Sequence, residues 1–104
     1  MKKYSFYWII SILLISNTVF AGESNFPPSL GYVPDETTAI KIAEVILIPI
    51  YGKQKIQKEK PFSARLENDV WIVTGHLPKG WLGGIAKVEL SKKDAQIISV
   101  SHGK

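Results

Sequence analysis

The sequence predicts an α+β domain in which one amphipathic helix packs on a curved, four-stranded antiparallel sheet. Three observations predict it. Apolar residues recur at helical spacing at Ala39, Ile42, Ala43, Ile46 and Ile50. From Pro61 onward the repeat shortens to two, and turn-forming residues divide the rest into four short strands.

The chain has 104 residues, enough for one domain at most. Its first 21 read as a secretory signal peptide: Lys2 and Lys3, then the apolar run "WIISILLI" (Trp8 to Ile15), then Val19-Phe20-Ala21, with cleavage expected between Ala21 and Gly22. Ser16, Asn17 and Thr18 stop the apolar run short of the ~20 residues a spanning helix needs, so no stable membrane anchor is expected after cleavage. Cleavage leaves 83 residues and removes Lys2 and Lys3 from 13 basic side chains but none of the nine acidic ones, so the formal charge falls from +4 to +2. A nucleic-acid partner is not expected at that charge. No cysteine is present, so neither disulfides nor lipid attachment supports the exported form.

Residues 22–34, "GESNFPPSLGYVP", read as a flexible lead-in from which Phe26, Leu30 and Tyr32 are candidates to dock; the domain proper is expected over 35–104. Asp35 is the expected helix N-cap, and Glu36 suits the positive end of the dipole. Ile40, Leu47 and Ile48 widen the apolar stripe so far that the helix is expected to be nearly buried. Pro49 should kink or stop the last turn, with Gly52 taking a left-handed cap and the helix ending near Tyr51. The segment "KQKIQKEK" reads as a short solvated element that tucks in Ile56.

Phe62, Ala64 and Leu66 share one face of a first strand, and Asn68-Asp69 makes a tight turn into a second, Val70 to Leu77. There Trp71, Val73 and Leu77 oppose Val70, Ile72, Thr74 and His76, so both faces are partly apolar and the strand belongs at the centre. Ala86, Val88 and Leu90 mark the third strand. Lys92 to Ala95 turns the chain, and Ile97 to His102 forms the fourth. Gly75, inside the second strand, signals a bulge or a close approach.

Reactive groups are sparse. His76 and His102 lack a short ligand spacing, so neither a metal site nor a cofactor is expected, although the two become neighbours if the second and fourth strands flank the third. Ser99 or Ser101 with His102 and Asp94 lacks the elbow and oxyanion loop of a hydrolase. Gly80, Gly83 and Gly84 precede no helix and make no phosphate cradle. Trp81, in the loop "LPKGWLGG", is the remaining candidate: it either closes the open end of the core or serves as a partly exposed anchor. In the second case Lys79, His76 and the lysine segment 53–60, Lys53 and Lys55 included, complete a partner-contact patch whose positive rim suits an acidic partner.

Several spaced elements together resemble a known family. They are the helix with Ile42-Ala43-Glu44 that ends in Pro49-Ile50-Tyr51-Gly52, Lys60-Pro61-Phe62, Val70-Trp71-Ile72-Val73, Leu77-Pro78 with Gly80 and Gly83-Gly84, and His102-Gly103-Lys104. In this order, over residues 34–104, they resemble the small bacterial immunity proteins of the nuclear-transport-factor-2 fold, a family associated with polymorphic toxin loci. The resemblance implies a cystatin-like helix on a curved sheet, no catalytic activity, no cofactor, and binding to a cognate protein toxin. It carries over no contact residue. Ala95 departs from the family's usual glycine, which bears on the type of the last turn.

The expected function is therefore that of an exported immunity protein that neutralises a toxin, with the leader pointing to the periplasm of a Gram-negative bacterium. The alternative is a periplasmic module that binds a small molecule or glycan without turnover. A small hydrolase is the least favoured class, and an unpaired sheet edge leaves oligomerisation open.

Overall fold

The computed structural model describes residues 28–103. The leader at 1–21, its Ala21–Gly22 junction, the lead-in as far as residue 27, and Lys104 lie outside the described residues.

Helix α1 spans Glu36–Tyr51. Asp35, in extended conformation, accepts hydrogen bonds from the Thr38 N–H at 2.8 Å and the Thr38 hydroxyl at 2.7 Å. One of the unpaired donors of the first turn is thereby satisfied. Pro49 sits within the last turn, and its missing N–H leaves only the carbonyl of Val45, a residue on the solvent side, without a helical partner. The helix stops at Tyr51, as its sequence predicts. Gly52, at φ 96°, donates its N–H to the Ile48 carbonyl at 2.8 Å and turns the chain into a six-residue helix, α2 (Lys53–Lys58).

Burial of α1 differs from the expectation. Only Ala39, Ala43 and Leu47 are buried, one row at a spacing of four, while Val45 is 69% exposed and Ile50 54%. The cause is geometric: α1 packs on the first three strands and on the short helix that follows it, and Val45 and Ile50 stay exposed outside those contacts. An apolar-looking helix is here a half-buried one.

The strands β1 (Ser63–Glu67), β2 (Val70–Thr74), β3 (Ala86–Ser91) and β4 (Ile97–His102) form an open antiparallel sheet in sequence order. Asn68 and Asp69 both adopt positive φ, 50° and 61°, in the two-residue turn between β1 and β2. These are residue types that tolerate the left-handed region, and such a turn matches the twist of a hairpin. The register pairs Ala64 with Val73, Val73 with Val88, and Val88 with Val100, which lines up one apolar face beneath α1. Ile72 is buried on the opposite face, as expected for a central strand. A register shift at Glu89/Leu90 disrupts the β3–β4 ladder.

Of the lead-in, Pro28 to Pro34 is described and held in place. The N–H groups of Tyr32 and Val33 donate to the carbonyls of Lys93 and Lys92, each at 3.0 Å, and the Trp71 indole N–H donates to the Val33 carbonyl at 2.8 Å. Val33, not Leu30 or Tyr32, is the docked side chain: it is fully buried whereas those two are exposed. Its apolar surface joins the cluster formed by Leu47, Ile56, Val73, Val88 and Leu90.

Candidate partner-binding site

The basic segment that reads as solvated carries one charged residue that is not. Ile56 is fully buried on the inner side of α2, as expected, and three residues later Glu59 is only 5% exposed. Such a carboxylate needs partners, since a buried charge without them is strongly disfavoured. Glu59 Oε1 accepts from the Ala86 N–H at 2.6 Å, and Oε2 lies 2.8 Å from His102 Nε2.

These contacts explain why β2 is shorter than its sequence suggests. Gly75 N–H bonds to the Ala86 carbonyl at 2.9 Å, and a regular antiparallel pair would return the Ala86 N–H to Gly75. Glu59 takes that N–H instead. Its own carbonyl accepts the His76 N–H at 2.7 Å, so Glu59 replaces the next rung of the ladder with both main chain and side chain. The second strand therefore ends at Thr74 and not at Leu77. Gly75 is the close approach its position foretold, because a Cβ there would run into the Glu59 side chain.

Hydrogen-bond accounting fixes part of the protonation. His102 Nδ1 lies 2.7 Å from the Gly103 carbonyl oxygen, which can only accept, so Nδ1 is the donor. One further proton then lies between Nε2 and Glu59 Oε2. The Tyr51 ring packs against the imidazole with centroids 5.1 Å apart. Among the described residues no buried polar side-chain atom lacks a partner, and no group of three His, Cys, Asp or Glu residues is arranged to hold a metal.

Beside this pair the loop from Gly75 to Ile85 folds back over α2. Gly84 packs so closely on Gly103 that a Cβ would overlap the backbone there. Between loop and helix lies a cavity of about 300 Å³, walled by Lys55, Lys58, Leu77, Pro78, Trp81 and Leu82, with Glu59 and His102 also in its lining. A smaller cavity, about 260 Å³, lies at the other end between residues 28–31 and Lys92.

Trp81 is 51% exposed and Leu82 97%, so this tryptophan is not core. The Lys58 ammonium stands 5.1 Å from the Trp81 ring centroid, within cation–π range. Of the five residues proposed from sequence, Trp81 and Lys55 meet in this cavity. Lys53, His76 and Lys79 are exposed but do not line it. Lys58, from the lysine segment read as the positive rim, lines it too. Leu82, Glu59 and His102 were not part of the expected patch, and the depth of Glu59 leaves no trace in a run of charged residues.

A helix laid on an open four-stranded sheet, bearing an exposed apolar cavity with cationic walls, defines a small α+β domain with a surface suited to binding. The chain belongs to the NTF2 fold immunity protein family (Imm-NTF2-2), whose model matches residues 38–104. The resemblance read from the sequence is thereby borne out. Two relatives in Escherichia coli (strain K12) are similar over 73 residues, 69% of this chain: the uncharacterized protein YbbC at 34% identity and the uncharacterized protein YhhH at 29%. The matched region spans 60% and 58% of those proteins, so this chain corresponds to part of their length. No solved structure matches.

Proposed function

We propose that this chain is an immunity protein exported to the periplasm, where it binds a cognate bacterial toxin and neutralises it by stoichiometric occlusion, without turnover. Membership of the immunity family over residues 38–104 is the observation that carries this reading. The leader pattern at Lys2, Lys3, Trp8–Ile15 and Ala21 supplies the location. A toxin that attacks the envelope or peptidoglycan fits an inhibitor stationed there.

The test is genetic. The flanking genes are first searched for a toxin-like reading frame, and any found is produced with a periplasmic leader in a susceptible host, alone and together with this chain. Growth is restored by the full chain and not by a form lacking residues 2–21. Equal protection by the leaderless form would refute periplasmic action, and failure to protect at all would refute immunity.

The alternative of a small-molecule or glycan-binding module draws on the cavity beside Trp81. Its volume of about 300 Å³ lies at the lower limit of ligand pockets, roughly 300–1,000 Å³. Calorimetry with peptidoglycan fragments separates the two readings: micromolar binding of a glycan without toxin protection favours the module.

A further inference from the structure

We infer that the cavity between α2 and the 77–84 loop is the partner-docking site, and that its occupant is an acidic loop of the toxin which sets an apolar side chain against Trp81 and Leu82 and carboxylates against Lys55 and Lys58. The inference rests on the immunity reading for the identity of the partner, but the chemistry of the occupant is argued from the surface alone.

Charge decides the occupant. The two segments that wall the cavity, residues 53–60 and 75–84, contain five lysines and a single acid, Glu59. Glu59 faces inward, its two oxygens held by the Ala86 N–H and His102. Lys60 pairs with Glu44. Lys53, Lys55, Lys58 and Lys79 form no ion pair with any described residue, so the mouth presents unopposed positive charge around an apolar wall. A partner offering carboxylates around an apolar side chain complements both features, and an uncharged or basic one leaves the lysines facing like or no charge.

The geometry suits an anchor as well. Lys58 over the Trp81 ring fixes one wall of the slot while its remaining N–H groups stay free to donate. Leu82, almost fully exposed beside a half-exposed tryptophan, makes a contiguous apolar patch of the kind found at the centre of interfaces. The close Gly84–Gly103 packing ties the base of the loop to the end of β4, so the wall is braced by the sheet.

Two measurements test it. In the first, random peptides displayed on phage are selected on the purified protein alone, and the enriched peptides are then measured against the double variant Lys55→Glu, Lys58→Glu. Enriched peptides carry Asp or Glu beside a large apolar residue and bind the variant about 30-fold or more weakly. Enrichment without acidic residues, or binding indifferent to the double substitution, overturns the inference whatever the natural partner is. In the second, affinity for the toxin that the chain neutralises is measured for Leu82→Ser and the double variant, with Arg65→Glu and Ser101→Glu on the far face of the sheet as controls. Loss confined to the cavity variants supports the inference. Loss confined to the controls overturns it while leaving the immunity reading intact.

Discussion

The Glu59 carboxylate reaches His102 Nε2 at 2.8 Å across 43 residues of sequence, while its other oxygen caps the Ala86 N–H at 2.6 Å. One side chain thus joins the end of α2 to the start of β3 and the end of β4. Glu59→Ala strips two buried groups of their partner and is expected to destabilise the domain by about 3 kcal/mol. Glu59→Gln keeps an oxygen for Ala86 and offers an N–H to a neutral imidazole whose Nδ1 still donates to Gly103. Its cost is expected to be under about 1 kcal/mol. Urea titrations of the two variants, each repeated with His102→Ala, give the coupling; additive losses would show that the pair does not act as a unit.

The two inner-sheet and loop tryptophans are expected to respond oppositely. Trp71 is buried and bonded to the Val33 carbonyl, so Trp71→Ala costs about 3–5 kcal/mol. Trp81 is half exposed and packs against Lys58, so Trp81→Ala changes stability by about 1 kcal/mol or less while weakening partner affinity. Thermal unfolding of both variants checks this, and a large loss of stability at Trp81 would make it core after all.

Val33 is the only apolar anchor of the described lead-in that is fully buried. Val33→Ala is expected to cost about 2 kcal/mol and Leu30→Ala less than about 0.5 kcal/mol. Equal effects in chemical denaturation would mean that the segment is held by its backbone hydrogen bonds alone.

Hydrogen bonds from the Thr38 side chain and N–H hold the Asp35 carboxyl below its ordinary value of 3.8, and the Gln96 N–H with Ser91 does the same for Asp94. A depressed folded value means stabilisation that is complete above the unfolded value and disappears as pH falls through the folded one. The stability advantage of the native chain over Asp35→Asn or Asp94→Asn should therefore shrink as pH drops below 3.8. An advantage that persists unchanged into stronger acid would contradict the assignment.

Ala95 adopts φ 64° in the turn between β3 and β4. Its Cβ opposes that conformation, and Ala95→Gly is expected to stabilise the domain by about 0.5–1 kcal/mol in denaturant titrations. A neutral or negative result would mean that the packing of the Ala95 methyl against the core offsets the backbone strain.

Much of the backbone was legible because the signals are local. The Asp35 cap, the end of α1 at Tyr51, the Asn68-Asp69 turn, the alternation of Ala86, Val88 and Leu90, and the limits of β4 each depend on residues within a few positions of one another. The end of β2 was not legible, because the residue that replaces Gly75 in the ladder is Glu59, which caps the end of α2 and precedes β1 in the sequence. The half-exposure of α1 was hidden for a similar reason: periodicity reports which residues are apolar, not how many neighbours come to cover them.

By itself the sequence determined that one helix precedes four antiparallel strands, that reactive groups are few, and that the family is one of immunity proteins, since periodicity, turn chemistry and ordered motifs are properties of the chain. Only the tertiary structure decided that Trp81 stands at the surface over Lys58, that Lys55 and Leu82 share its cavity, and that the lone acid of the basic segment lies inside against His102. The physical reason is that burial and charge pairing depend on what folding brings together from distant positions, and the Glu59–His102 contact has no local precursor.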